Sequence, residues 1–96
     1  MNNTSLNNDD VLRALYPFEP GYQDRLLHCL QNIPDYPFSE HVDRPLVVEL
    51  MHDFPEIDLI EQVKAWRWYR ADNPAKLKNP RGALRRWMMR AREFGL

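Results

Sequence analysis

The residues of this 96-residue chain best suited to chemistry lie in its last third. Lys64-Ala65-Trp66-Arg67-Trp68-Tyr69-Arg70 interleaves cations with aromatic rings, and Lys76, Lys78, Arg81, Arg85, Arg86, Arg90 and Arg92 follow. The planar fork of arginine grips two phosphate oxygens at once. An aromatic ring stacks on an unpaired base for roughly 1–3 kcal/mol. The pattern therefore points to nucleic acid rather than to a small substrate. Lys76, Lys78, Arg81, Arg85, Arg86 and Arg90 are the expected phosphate contacts, with Trp68 and Tyr69 as stacking groups. Trp66 and Trp87 fall on apolar stripes and are expected in the core.

Other chemistry is poorly provided for. His28, His41 and His52 form neither a His-x-x-x-His pair nor a Glu-x-x-His motif. A metal site would need these histidines and Cys29 to converge in space, and none is expected from spacing. A lone cysteine excludes an internal disulfide. Three glycines leave no glycine-rich phosphate loop. Acidic pairs such as Asp9-Asp10 and Glu56/Asp58 suit the positive ends of helices. The chain is expected to be non-enzymatic and to hold no cofactor.

Net charge is -1, yet the charge is divided along the chain. Residues 1–63 sum to -9 and residues 64–96 to +8. Either one basic face is presented to phosphate or to an acidic partner, or the two halves fold together and neutralise each other.

The elements that must position these groups are helical. The 3.6-residue period recurs and no run alternates as a strand would. A first helix is expected over Asp9–Tyr16, after a polar stretch 1–8 expected to be disordered. A second runs from about Gly21 to Asn32, with Tyr22, Leu26, Cys29, Leu30 and Ile33 on one face. A third opens near Asp43 with Pro45 in its first turn, and Leu46, Val47, Leu50 and Phe54 form its stripe. The fourth starts at a capping box, Asp58 with Glu61, and places Leu59, Val63, Trp66 and Arg70 on one face. Trp68 falls nearly opposite, together with Ile57. Asn79-Pro80 opens the fifth, where Ala83, Leu84, Trp87, Met88 and Ala91 face inward and Arg81, Arg85 and Arg92 outward.

The block from Phe54-Pro55-Glu56-Ile57-Asp58 through Trp66-Arg67-Trp68-Tyr69 to Arg85-Arg86-Trp87-Met88-Met89-Arg90-Ala91 resembles a C-terminal helical module of phage and bacterial replication initiator or primosome-associated proteins. The resemblance covers residues 54–91. It implies an association with single-stranded DNA or with helicase and primosome partners. No ATPase and no winged-helix part is seen beside it in this sequence, so the resemblance implies an accessory role at most.

The expected fold is all-α: one compact small domain of about five short helices, orthogonally packed, with no sheet. Residues 54–96 form its basic helical pair. The expected function is a nucleic-acid-associated accessory protein of phage or mobile-element type, binding single- or double-stranded DNA. The alternative is a protein-interaction adaptor or small regulator, a homodimer joined through its acidic and basic halves. No apolar run approaches the length of a membrane span and no secretory leader is evident, so a cytoplasmic location is expected.

Overall fold

The computed structural model describes residues 19–95. The expected helix over Asp9–Tyr16 and the expected disorder of residues 1–8 lie outside them. Four helices follow one another: α1 Tyr22–Gln31, α2 Glu40–Asp53, α3 Leu59–Asp72 and α4 Pro80–Glu93. No strand occurs among the described residues. α1 packs on α2 and α3, and α3 packs on α4. Leu26 and Leu30 of α1, Val47 and Leu50 of α2, Leu59 and Val63 of α3, and Leu84 and Met88 of α4 share one core, each almost wholly shielded from water.

Helix boundaries follow local chemistry. Asp58 caps α3 by accepting the Glu61 N–H at 3.3 Å. The Tyr22 hydroxyl donates to the same carboxylate oxygen at 2.9 Å and accepts the Ile60 N–H at 3.0 Å. One phenol thus ties the start of α1 to the start of α3. Burial first, and the neighbouring Asp58 carboxylate after it, push this phenol up to about 12. Asn79 caps α4 by accepting the Gly82 N–H at 2.9 Å. The cap folds so closely over Gly82 that a Cβ there would stand 2.5 Å from the Asn79 amide nitrogen. At the far end Gly95 takes a left-handed φ of 71° and its N–H returns to the Arg92 carbonyl, ending α4.

Two expectations need correction. Helix α2 opens at Glu40, not near Asp43, so Pro45 sits inside the helix rather than in its first turn. The cause is Asp43, whose carboxylate accepts the Ser39 N–H at 2.9 Å and so fixes the helix start one turn earlier. Ile57 does not accompany Trp68 on an outer face: it precedes α3 in a turn, outside the helical wheel, and is buried.

Asp43 is also the one buried charged residue among those described, with no exposed surface. Its oxygens receive Arg81 Nε at 2.8 Å, Arg81 Nη2 at 2.9 Å, the Tyr36 hydroxyl at 2.5 Å and the Ser39 N–H. Burial alone would raise its pKa, but the donors from Arg81, Ser39 and Tyr36 outweigh burial and hold the carboxyl below its usual value. The Tyr36 phenol is pushed up, by burial first and by Asp43 second.

Removing one member of such a node leaves an uncompensated buried group, which costs roughly 3–5 kcal/mol. Asp43→Ala is therefore expected to lower unfolding stability by about that amount in a urea titration followed by tryptophan fluorescence; a change below about 1 kcal/mol would contradict this. The folded carboxyl binds its proton less readily than the unfolded one, so in acid the unfolded chain holds more protons. The stabilisation from Asp43 is expected to be complete above the unfolded value of about 4 and to be lost as pH falls through the lower folded value. Asp43→Asn should flatten that part of the stability–pH curve.

Candidate nucleic-acid interface

Helix α4 carries arginines on two flanks of its buried Leu84–Met88–Ala91 stripe. At about 100° per residue, Arg81, Arg85 and Arg92 fall on one flank, and Arg86, Arg90 and Trp87 on the other. The structure gives the two flanks different surroundings.

The first flank faces α2 and the turn after it. Arg81 holds Asp43 as described and donates from Nη2 to the Pro37 carbonyl at 2.7 Å. Arg85 reaches Asp53 at 2.8 Å and Glu49 at 3.2 Å. Arg92 lies 3.9 Å from Glu56 and donates to the Asp53 carbonyl at 3.3 Å. The same row covers aromatic rings: Arg81 stands over Tyr36 at 5.2 Å, while Arg85 and Arg92 stand over Phe54 at 5.5 and 4.7 Å. Hydrogen bonding from Arg85, and then from His52, lowers the Asp53 pKa. The expected outward orientation of Arg81, Arg85 and Arg92 is therefore corrected. Their stems share one flank as the periodicity implies, but that flank meets the acidic side of α2.

The second flank faces away from α2. Arg86 and Arg90 are exposed and have no carboxylate partner among the described residues. Beside them Trp87 is half-buried; its ring lies 5.4 Å from that of Tyr69 on α3, tilted by 49°. The Trp87 indole N–H donates to Gln62 Oε1 at 3.0 Å, which fixes the ring between the two helices. Tyr69 remains 51% exposed. Trp68 is 66% exposed, with the Arg67 guanidinium 5.7 Å from its ring centre. Trp66, by contrast, is in the core and meets Tyr36 edge-on at 6.2 Å.

Lys76 and Lys78 occupy the α3–α4 connector, exposed and with no ion-pair partner among the described residues. Arg70 shapes this connector by donating from Nη1 to the carbonyls of Asn73 at 3.5 Å and Ala75 at 2.8 Å. The Asn73 side chain donates back to the Tyr69 carbonyl at 2.9 Å. A hollow of about 590 Å³ opens here, lined by Arg70, Lys76 and Lys78 together with Asp35 and Pro37 from the α1–α2 loop.

The eight residues singled out from sequence thus divide. Arg86, Arg90, Tyr69 and Trp68 lie on the outer side of the α3–α4 hairpin, Lys76 and Lys78 in its connector, and Arg81 and Arg85 in ion pairs with α2. Sequence reasoning missed Asp43, Glu49 and Asp53 as the counter-charges and Arg70 as the organiser of the connector. A signal was present for Asp43, which shares the i, i+4, i+7, i+11 stripe with Val47, Leu50 and Phe54; a charge on such a stripe demands a partner. The three histidines are exposed and spread apart in sequence, with His52 Nδ1 3.1 Å from Asp53. Among the described residues no group of three or more metal-ligating side chains converges. Cys29 is half-buried, and desolvation pushes its thiol up despite the nearby Lys64, Arg25 and Arg67. No helix among the described residues is long and apolar enough to cross a membrane.

The chain matches no protein-family model, no curated protein and no solved structure.

The two flanks of α4 are expected to respond differently to charge reversal. Arg85→Glu sets a carboxylate against Glu49 and Asp53 and should cost about 1–2 kcal/mol, the loss of a partly exposed pair plus repulsion of similar size. Arg86→Glu should leave the urea midpoint unchanged. Equal losses in both variants would show that the pairing with α2 does not hold α4 in place.

Proposed function

We propose that this chain is a non-enzymatic nucleic-acid-associated accessory protein that uses the outer side of the α3–α4 hairpin. The observation that carries this reading is the sorting of α4's arginines. Those facing α2 are consumed by Asp43, Glu49 and Asp53, while Arg86 and Arg90 stay unpaired among the described residues beside an aromatic pair.

The chemistry favours single strands. Arg86, Arg90, Lys76 and Lys78 supply phosphate contacts, and Trp68 and Tyr69 offer ring surface to unpaired bases. Donors aimed at base edges in a groove are not apparent in this set, so binding tolerant of sequence is the natural outcome. The resemblance of residues 54–91 to a replication-protein module agrees with this reading and suggests a phage or mobile-element setting.

The alternative of a protein-interaction adaptor draws on the outer side of α2. There Val48 is 49% exposed near Pro45 and His41, beside a shallow hollow of about 750 Å³. Its homodimer version, acidic half against basic half, has less support, because Asp43, Glu49, Asp53 and Glu56 already face arginines of the same molecule. Light scattering from low to high salt tests it: a mass that stays monomeric excludes salt-sensitive self-association.

For nucleic acid the measurement is fluorescence anisotropy with a short oligothymidylate across a salt series. Four phosphate contacts on a single strand predict a slope of log affinity against log salt near about -3. The double variant Arg86→Glu/Arg90→Glu is expected to weaken binding by about tenfold or more at low salt while keeping the wild-type unfolding midpoint. No retention of single-stranded or duplex DNA by the wild-type protein at low salt would overturn the proposal.

A further inference from the structure

The hollow at the α3–α4 connector has a composition that the outer face of the hairpin does not share. Arg70, Lys76 and Lys78 line it against a single carboxylate, Asp35, which leaves a formal surplus of two positive charges. Its remaining walls are the apolar rings of Pro37, Pro74 and Pro80 with Leu77. The hollow is open to solvent, and its volume of about 590 Å³ has room for a small organic ligand rather than a bare ion alone. Of the three cations, Arg70 is held in place by the connector backbone. The Arg70 guanidinium spends Nη1 on the Asn73 and Ala75 carbonyls, and its Nε and Nη2 have no partner among the described residues. Opposite, Asp35 holds a left-handed φ of 61° in the turn closed by Tyr36 N–H on the Ile33 carbonyl. Aspartate and asparagine adopt that conformation more readily than other non-glycine residues.

We infer that this hollow is a binding site for a phosphate monoester carrying an apolar or aromatic body, in the manner of a mononucleotide. The dianionic monoester matches the surplus charge, since its second ionisation lies near pH 6. The proline and leucine walls receive the sugar or base. The inference deepens the nucleic-acid reading, because Lys76 and Lys78 belong to both. It specifies that the connector takes the phosphorylated end of a strand, whereas Arg86 and Arg90 take internal phosphates. Free mononucleotide offers the same chemistry and is the second source to be distinguished.

The test compares one labelled oligothymidylate bearing either a 5′-phosphate or a 5′-hydroxyl, together with deoxyadenosine 5′-monophosphate followed by amide NMR shifts. The expected result is about tenfold tighter binding of the phosphorylated strand at low salt. Lys76→Gln/Lys78→Gln should bring that ratio to one, while Arg86→Glu/Arg90→Glu should lower both affinities and keep the ratio. Asp35→Asn keeps a residue tolerant of the left-handed turn and should tighten binding of the phosphorylated strand. A ratio of one in the wild-type protein, with both strands bound and no shifts at Asp35 and Leu77 from the mononucleotide, overturns the inference and leaves the nucleic-acid reading intact. Shifts at Asp35 and Leu77 with the mononucleotide, without binding of either strand, would keep the hollow and overturn the nucleic-acid reading. No response to any of the three ligands overturns both.

Discussion

A carboxylate that water cannot reach must be satisfied by the protein itself, and Asp43 sets that demand here. Its two oxygens take four donors, from α4, from the α1–α2 loop and from the backbone at the start of its own helix. The node therefore fixes three things together: where α2 begins, how the loop bearing Tyr36 and Pro37 lies, and how α4 is rotated about its axis. Rotation matters most. Once Arg81 is anchored on Asp43, helical geometry carries Arg85 and Arg92 to Asp53, Glu49 and Glu56, and turns Arg86 and Arg90 outward. The division of α4 into an inward-bonded and an outward-open row of cations follows from one buried ion pair.

The helices could be read from sequence because their signals are local. Asn79-Pro80 and Asp58 with Glu61 mark helix starts that the structure reproduces as side-chain caps. The apolar stripes of α1, α3 and α4 follow the 3.6 period, so Leu26, Leu30, Val63, Trp66, Leu84 and Met88 emerge as core. The start of α2 could not be read the same way. It depends on a bond from Ser39 to Asp43 that matches no standard capping spacing, and the familiar link between proline and a first helical turn pointed to the wrong residue. The grouping of Arg81, Arg85 and Arg92 was visible as periodicity; the identity of their neighbour was not, since it lies about 30 to 40 residues away in sequence. Asp43 and Arg70 teach the same lesson. Each is a charge placed in line with an apolar stripe, and each proves to be a fixed structural contact, with a guanidinium in one case and with backbone carbonyls in the other.

The surface that results is basic by subtraction. Of the ten cations after Val63, Arg81, Arg85 and Arg92 face carboxylates of the acidic half, Lys64 lies 3.5 Å from Glu61, and Arg70 is held by its connector. The remainder, Arg67, Lys76, Lys78, Arg86 and Arg90, sits on α3, the connector and the far side of α4. A charge count along the chain cannot separate these groups, because it records how many charges exist and not which are already answered.

The pairing of α4 with α2 also bears on how far the last two-fifths of the molecule can be regarded as a unit. Cut free before Phe54, that stretch would lose Asp43, Glu49 and Asp53, and the guanidinium groups of Arg81 and Arg85 would be released into water along with it. Such a fragment would be a stronger and less discriminating polycation than the same residues in the intact chain. The acidic half thus serves as a permanent counter-ion, tempering the attraction of its neighbour for polyanions, and restraint of that kind belongs to the assembled protein alone.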